Sequence, residues 1–434
     1  MRFLRPLAFC IGLLAGAVCG SEAPTGNGAP EWAKAVPVRQ WYALAGTEYR
    51  AAIKALAPEK GYIGYDPIGG TVDSYDDPVA NADNSAVYFY GGGHGSSTLN
   101  GVFKFDTITL KYSIAIAPTP PDKYPPAYVK AEGNDLTYPS GAKPGHFSAD
   151  LTDPADLPFK APQNAPTASH MYSACDMRGD VIHYFYGAYR CANVKTGKWE
   201  SVGEIDVGAQ VGKLTADKKY GTAYLQQGTA AVYDDVTDRF LVSLVPGDAG
   251  INWRGNRLFF WDPVKQVIEP KGPADGMVPI CTRSSMNLFK GGRWAYMLMC
   301  NAPTTVAPDT VNGAFRYNFD TGKIETLRIE GDLFKFAPDN TQETVPCVYH
   351  AGRNSLIRWE YLSDVNALYE VNLTPVSGAG TDASPYVLHQ TRIPLTGALS
   401  VKPLLNYRRM FYNAKTGVMM FMPNSNSTWY AVKL

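Results

Sequence analysis

The sequence predicts an all-β fold, a single β-propeller of six four-stranded blades closed by pairing of the N- and C-terminal strands. Three observations lead to this prediction. Short strand patterns recur along the chain and end in similar corners, the composition suits many short strands and turns, and the last repeat lacks a strand that the N-terminal region can supply. One propeller can use the whole length of 434 residues as a single domain.

The repeated unit is a strand, a tight polar turn, a second strand, a loop, and a third strand that ends in a corner similar to Phe-Asp. The corners lie at 102–106, 258–262, 315–323 and 368–372, with a weaker copy at 193–199 and a last one at 429–433. Successive later corners are about 50 to 60 residues apart, the length of a four-stranded blade with one long loop. A fourth, outer strand follows the corner, as in Trp199–Val202.

Tight turns between first and second strands repeat as well. They lie at 233–239, 349–354 and 412–417, and alternating apolar residues flank each of them, as in a β-hairpin. The last blade has no outer strand before Leu434, and the segment Gln40–Ala45 has the right pattern to supply it. That pairing, between the strands around Trp41 and Trp429, would close the ring and cover a sheet edge. Residues 115–168 are either an extended loop or the place of a seventh blade.

The composition excludes some classes of function. Forty Lys and Arg balance forty Asp and Glu, which argues against nucleic acid as a partner because phosphate binding needs a concentrated basic surface. Hydrophobic residues make up 45% of the chain and charged residues 18%, enough for a large core. The 27 Tyr, 8 Trp, 41 Gly and 32 Pro suit short strands, many turns and aromatic platforms for sugars.

The N-terminus has the pattern of an export signal. Arg2 and Arg5 are followed by an apolar run, Leu7–Val18, and by small residues that favour cleavage near Gly20. The alternative is a lipoprotein attached through Cys19. The run is too short to span a bilayer, so no membrane span is expected. The predicted organisation is a signal peptide at 1–20, a linker at 21–37 and the propeller domain at 38–434.

Five cysteines follow the signal. Two pairs have the spacing of a hairpin, Cys175 with Cys191 and Cys281 with Cys300. In an exported protein this spacing favours a disulfide within each pair, the alternative being buried thiols. Cys347 is left over, and we expect it to be a buried thiol rather than a nucleophile.

The segment Tyr88–His94, followed by Asn100–Asp106, resembles a kelch motif of bacterial exported, galactose-oxidase-like propellers. The resemblance is good over residues 86–112 and fair over 168–200. Elsewhere it is limited to the regular spacing of the repeats. Kelch repeats imply the propeller fold and carry little information on chemistry.

In a propeller, the loops from second to third strands and the connections between blades meet on one face, around the central channel. We expect this face to gather polar and aromatic side chains from several blades. The candidate catalytic residues are His94, His170, Tyr189 and Arg190, and the candidate substrate-binding residues are Asn252, Trp253, Arg254, Glu360, Tyr361 and Arg408. Three further histidines, His146, His350 and His389, are expected in a loop, a turn and an outer strand.

Histidine, tyrosine, arginine and tryptophan on one rim suit an acidic polysaccharide. Some secreted propellers are polysaccharide lyases, and this similarity of architecture implies β-elimination, with Arg neutralising a uronate carboxylate and His or Tyr moving protons. A non-catalytic module that binds carbohydrate or protein is the alternative. A copper radical oxidase is a further one, although no late Tyr-His ligand pair is visible. No metal or other cofactor is expected, since ligand spacings are lacking, and a monomer is expected.

Overall fold

The structure is a computed structural model that describes residues 28–57, 62, 66–73, 77–91, 99–121, 131–132, 135–136, 173–185, 189–202, 210, 223–224, 230–246, 256–270, 277–278, 288–298, 314–332, 346–359, 364–397, 399 and 409–434. Most regular structure in these residues is β-strand. The helices in them are short: α1 (Glu31–Ala35), α2 (Tyr49–Leu56), α3 (Gly70–Asp73) and a 3₁₀ turn at Ala351–Arg353. The predicted all-β class is confirmed.

The described strands form four-stranded units, called sheets 1 to 6 here in the order of their first strands; one of these units belongs to a six-stranded sheet, and two others are joined in an eight-stranded sheet. The earliest strand, β1 (Tyr42–Leu44), belongs to sheet 6. Sheet 1 contains β2 (Val79–Ala80), β3 (Ala86–Phe89), β4 (Val102–Asp106) and β5 (Lys111–Ile116), and a separate pair follows, β6 (Ala131–Glu132) and β7 (Asp135–Leu136). Sheet 2 contains β8 (Cys175–Arg178), β9 (Val181–Tyr184), β10 (Arg190–Asn193) and β11 (Lys198–Val202). Sheet 3 contains β13 (Ala230–Asp234), β14 (Arg239–Pro246), β15 (Asn256–Asp262) and β16 (Val267–Pro270), extended by β12 (Ala223–Tyr224) and β17 (Met277–Val278).

The remaining strands complete the second half of the chain. Sheet 4 contains β18 (Leu288–Gly291), β19 (Trp294–Leu298), β20 (Ala314–Asn318) and β21 (Ile324–Gly331). Sheet 5 contains β22 (Cys347–His350), β23 (Ser355–Arg358), β24 (Ala367–Asn372) and β25 (Tyr386–Pro394). Sheet 6 contains β26 (Met410–Asn413), β27 (Val418–Phe421), β28 (Trp429–Val432) and β1.

Each sheet is an antiparallel meander, so its connections fall on two faces. Turns from first to second strands and from third to fourth strands lie on one face, the lower face. Connections from second to third strands, and from a fourth strand to the next sheet, lie on the opposite, upper face. In every sheet the first strand is the innermost and the fourth is the outermost.

Apolar side chains fill the space between each sheet and the next. Within the described residues six clusters pair sheets 1 and 2, 2 and 3, 3 and 4, 4 and 5, 5 and 6, and 6 and 1. At the last of these interfaces the rings of Phe105 and Trp429 stack with centroids 4.6 Å apart. The first strands of all six sheets line one cavity of about 650 Å³, the axial cavity. Sheets arranged in this way around an axis form a β-propeller.

The N-terminal strand pairs with the C-terminal one. Antiparallel pairing of β1 with β28 aligns Tyr42 with Ala431 and Leu44 with Trp429. Trp41, just before β1, is buried between sheets 5 and 6, where its ring lies 4.9 Å from that of Trp359. This is the pairing that the sequence predicts for the strands around Trp41 and Trp429.

The recurring Asp or Asn at the corners forms the lower-face turns. The last residue of the third strand accepts hydrogen bonds from two backbone N–H groups in the following turn, as Asp106 does from Ile108 and Thr109 at 3.1 and 2.8 Å. Asn193, Asp262 and Asn318 do the same in sheets 2 to 4. Short side chains that bond to their own backbone favour such tight turns, which explains the repeated motif.

The outer strands of sheets 4 and 5 pair with each other. β21 and β25 run parallel, with Leu327 aligned with Tyr386 and Gly331 with Gln390. This pairing joins the two sheets into one eight-stranded sheet and covers two strand edges.

Part of the predicted linker belongs to the fold. In helix α1, Ala33 is buried in the cluster between sheets 6 and 1, and so is Val36 just after it. The Trp32 indole N–H donates to the carbonyl of Ile108 at 2.8 Å. Residues 31–36, which the sequence assigns to the linker at 21–37, thus include a helix and two buried apolar side chains. In the part of the chain that the structure describes, no helix is long and apolar enough to cross a membrane.

Candidate functional site

Most of the predicted site residues belong to connections of the upper face. His94 lies between β3 and β4, residues 252–254 between β14 and β15, and residues 360–361 between β23 and β24. His170 and Arg408 precede the first strands of sheets 2 and 6. All these residues lie outside the described part of the chain. The described strand ends on either side of them, however, belong to the same face of the propeller.

Two buried residues of the described structure, Gly91 and Asn100, lie on either side of the segment 92–98, which contains His94. On one side the Thr71 hydroxyl, in α3, donates to the carbonyl of Gly91 at 3.0 Å. Gly91 has a φ of 143°, a backbone conformation that favours glycine. On the other side the amide N–H of Asn100 donates to the Thr119 hydroxyl, and the backbone N–H of Thr119 donates back to the Asn100 carbonyl oxygen. The described residues Gly91 and Asn100, on either side of the segment 92–98, thus take part in buried hydrogen bonds.

A polar cluster beside this segment holds the helices on the upper face of sheets 6 and 1. Arg50, in α2, forms an ion pair with Asp66. Asp73, in α3, accepts hydrogen bonds from the backbone N–H and the hydroxyl of Ser425, at 2.6 and 2.5 Å. A side chain at Gly69 would meet the Arg50 guanidinium and the Asp66 carboxylate, so this ion pair would have to shift to admit one. Sequence reasoning missed this cluster, because its members come from segments far apart in the chain.

Tyr189 and Arg190 are in the core and not on the exposed rim. They lie at the start of the third strand of sheet 2, whereas the sequence placed them at the end of the second. Tyr189 is 0% exposed and Arg190 2%. The Tyr189 hydroxyl is 2.7 Å from Nδ1 of His183, and its ring packs against Trp261 of sheet 3. Burial raises the pKa of Tyr189 far above its usual range. Because neither side chain can contact a polymer, we assign both to the core and not to the catalytic set.

The predicted disulfide between Cys175 and Cys191 is absent. Cys175 is on β8 and Cys191 on β10, with β9 between them, so their backbones are about 9.5 Å apart. Their partners in β9, Tyr184 and His183, are consecutive residues, which places the two thiols on opposite faces of the sheet. A disulfide requires Cα atoms within about 7 Å. The spacing that suggested one hairpin belongs to a three-strand meander.

The other cysteines and histidines add little to the site. Cys281 and Cys300 lie outside the described residues, as does His146, and Cys347 is buried between sheets 4 and 5 as expected. His350 ends β22 and stacks on Tyr412 with centroids 3.9 Å apart, and His389 is on the outer strand β25. Within the described residues no group of three or more His, Cys, Asp or Glu side chains could share a metal ion.

Comparisons with known proteins do not assign a family. No family model matches the chain. No curated protein matches it either.

Several solved structures share similarity with the chain over more than four fifths of its length. The GH74 xyloglucanase from Xanthomonas campestris aligns at 12% identity and a TM-score of 0.40, over 85% of this chain and 46% of the xyloglucanase. The chain therefore spans about half of that enzyme's length. YjhT aligns at 11% identity and a TM-score of 0.38, over 83% of this chain and 94% of its own. The Dos1 propeller aligns at 10% identity and a TM-score of 0.36, over 84% of this chain and 78% of its own. At this level of similarity no activity is transferred to the chain.

Proposed function

We propose that this protein is exported and cleaves an acidic polysaccharide by β-elimination on the upper face of a six-bladed propeller. The observation that supports the proposal is that the described strand ends next to the connections containing His94, His170, Arg254 and Arg408 belong to one face, and that Gly91 and Asn100, on either side of the His94 segment, take part in buried hydrogen bonds. A reactive group gains efficiency when the scaffold holds its segment in place.

The reaction assigns a role to each residue type. Arg254 and Arg408 neutralise the uronate carboxylate, which acidifies the proton on the adjacent carbon. One of His94 and His170 removes that proton, and the electron pair forms a carbon–carbon double bond while the bond to the glycosidic oxygen breaks. The other histidine protonates the departing oxygen. Trp253 and Tyr361 provide ring faces for sugars, and Asn252 and Glu360 bond their hydroxyls. With Tyr189 and Arg190 in the core, the two histidines carry the acid–base chemistry.

The proposal includes a closed ring of six blades made by residues from about 30 to 434. Its support is the apolar packing of every described sheet on the next, including sheet 6 on sheet 1, and the pairing of β1 with β28. Export follows from the signal pattern before Gly20, with lipid attachment at Cys19 as the alternative. The mass of the mature N-terminus, measured on secreted protein, distinguishes the two.

A lyase screen tests the proposal. The full mature chain is incubated with ulvan, alginate, pectin and glucuronan, and the ultraviolet absorbance of the unsaturated uronate product is followed. We expect turnover of one of them, reduced at least about a hundredfold by either His94→Ala or His170→Ala and unchanged by His389→Ala, which alters an exposed histidine on an outer strand.

The alternative of a plain binding module predicts a different pattern. In that case the polysaccharide binds without turnover, and the affinity is unaffected when His94→Ala and His170→Ala are combined. Absence of product with all four polymers would exclude the lyase.

A further inference from the structure

Helix α3 contacts the last described residue before the segment of His94. The Thr71 hydroxyl donates to the Gly91 carbonyl, and Thr71 is 4% exposed. Gly91 is buried and lies two residues after β3. A buried carbonyl at the end of a strand needs a hydrogen-bond donor, and Thr71 provides one from outside sheet 1. The position of Gly91 is therefore coupled to the position of α3.

The start of α3 is held by the core. A helix of four residues is not stable by itself, so the position of α3 depends on its contacts with the rest of the fold. Ile68, just before the helix, and Val72, within it, are buried between sheets 6 and 1. Asp66 accepts from the backbone N–H of Gly69 with its carboxylate and from that of Gly70 with its carbonyl, at 3.1 and 2.8 Å. These contacts close the turn that leads into α3.

The end of α3 is bound to sheet 6. The two hydrogen bonds that Asp73 accepts from Ser425 involve a charged acceptor, and Ser425 is 0% exposed. The carbonyl of Ser425 accepts in turn from the backbone N–H of Arg50, in α2, at 2.8 Å. Ser425 lies in the connection between β27 and β28, on the upper face. Helix α3 thus bridges the upper face of sheet 6 and the end of β3 in sheet 1.

The covalent chain relates Gly91 to His94. Three residues span at most about 11 Å, so a displacement of Gly91 is passed to His94 through a short piece of chain. A displacement of about 1 Å at a reacting group can lower the rate as much as a hundredfold. A contact that places Gly91 therefore affects the proposed chemistry without any contact with substrate.

From these contacts we infer that Thr71 is a positioning residue for the proposed elimination, acting through the Gly91 carbonyl on the segment that contains His94. Its effect on turnover rests on the proposed function, whereas its contact with Gly91 does not. The hydroxyl of Thr71, and not its methyl group, performs this role. Asp73 contributes indirectly, because it holds the helix to which Thr71 belongs.

Two substitutions separate the hydroxyl of Thr71 from its packing. Thr71→Val keeps the shape of the side chain and removes the donor, and Thr71→Ser keeps the donor and removes a methyl group. On the polymer that the parent protein cleaves, we expect Thr71→Val to lower kcat about tenfold and to change KM by less than about twofold, because the proposed binding residues lie on other connections. Thr71→Ser should retain kcat within about threefold of the parent value.

The matched control is Thr107→Val on the lower face of the same sheet. Thr107 is 0% exposed, and its hydroxyl donates to the carbonyl of Asn84 at 2.7 Å. This variant also loses a buried donor, so its free energy of unfolding should decrease while its kcat and KM stay at the parent values. Equal losses of kcat in Thr71→Val and Thr107→Val would reveal a general effect of stability and would overturn the positioning role.

Hydrogen exchange followed by mass spectrometry provides a readout that does not depend on turnover. In the full mature chain, the peptide 90–99 should exchange at least about threefold faster in Thr71→Val than in the parent protein, and at the parent rate in Thr71→Ser and Thr107→Val. Unchanged exchange in Thr71→Val would overturn the positioning role. So would a parental kcat in that variant when the parent is active. If the parent cleaves none of the four polymers, the lyase proposal fails, and hydrogen exchange alone decides whether Thr71 positions this segment.

Discussion

At the scale of single residues, the interface between sheets 2 and 3 contains a histidine that is part of the core. His183 is 4% exposed, and its ring lies 4.5 Å from that of Phe240. Its Nδ1 meets the Tyr189 hydroxyl, and its Nε2 has no hydrogen-bond partner among the described residues. Burial, assisted by the positive charge of Arg178, lowers the pKa of His183 from 6.5 to about 3.

This burial predicts acid sensitivity. The unfolded chain takes up a proton at His183 before the folded chain does, because the folded pKa is the lower of the two. The contribution of His183 to stability is therefore complete above about pH 6.5 and is lost as the pH falls toward about 3, by up to about 1.4 kcal/mol per pH unit. His183→Asn should reduce the dependence of the unfolding free energy on pH in this window.

Urea unfolding at a series of pH values measures the effect. His389→Asn, at an exposed position, is the control and should keep the slope of the parent protein. An equal acid slope in the parent and in His183→Asn would contradict the buried neutral imidazole.

At the scale of elements, hydrogen bonds join the turns of sheets 6 and 1 on the lower face. The Asn413 amide donates to the Thr107 hydroxyl at 2.8 Å and to the Asn84 carbonyl at 3.3 Å. The Asn84 amide donates to the carbonyl of Tyr412 at 2.7 Å. Lys415 and Asp83 add an exposed ion pair. These contacts tie the last described sheet to the first.

Asn413→Ala should lower the free energy of unfolding by more than the same substitution at Asn193. It removes the turn contacts to Lys415 and Thr416 and also the hydrogen bonds to the buried Thr107 hydroxyl and the Asn84 carbonyl, for a loss of about 2–4 kcal/mol. Asn193→Ala is the matched control, since Asn193 makes the same kind of turn in an exposed position, and about 1 kcal/mol is expected. Chemical denaturation compares the two, and equal losses would show that the contacts between sheets 6 and 1 contribute nothing.

Sequence reasoning succeeded for elements whose information is local. The corners at 102–106, 258–262 and 315–323 could be predicted, because the side chain that forms each turn, Asp106, Asp262 or Asn318, is adjacent to it in sequence. The outer strand at Trp199–Val202 is also where the repeat placed it, within β11.

Sequence reasoning failed for residues whose contacts in the fold are with residues distant in the chain. Tyr189 follows a strand and has a polar tip, so it was expected on the rim, but Trp261 of the next sheet covers it. The cysteine spacing could not show that a third strand separates Cys175 from Cys191. Residues 31–36 have the composition of a linker, and only the apolar surface of sheets 6 and 1 makes them part of the core.

At the scale of the whole molecule, the first and the last described strands, β1 and β28, lie in one sheet. Deleting residues 1–45 removes α1 and β1, with the buried side chains of Trp41 and Leu44, and exposes the edge of β28. We expect this variant to lose several kcal/mol of stability and to associate through the open edge. A chain that starts at residue 28 is the control and should retain the stability of the mature protein. Thermal unfolding and sedimentation measure both effects, and equal behaviour of the two truncations would argue against the closed ring.

The parallel pairing of β21 with β25 makes one joint of the propeller different from the rest. Described neighbouring sheets elsewhere share only single backbone hydrogen bonds or short bridges, such as those of Ser173 with Ala231 and of Thr396 with Trp41, and meet mainly through side chains. Sheets 4 and 5 also share backbone hydrogen bonds from Leu327 to Gly331, and these cannot slide without breaking. When the molecule breathes or adapts to a ligand, sheets 4 and 5 must therefore move as one rigid body. Any widening of the axis has to occur at the other joints, so the mouth of the channel opens asymmetrically.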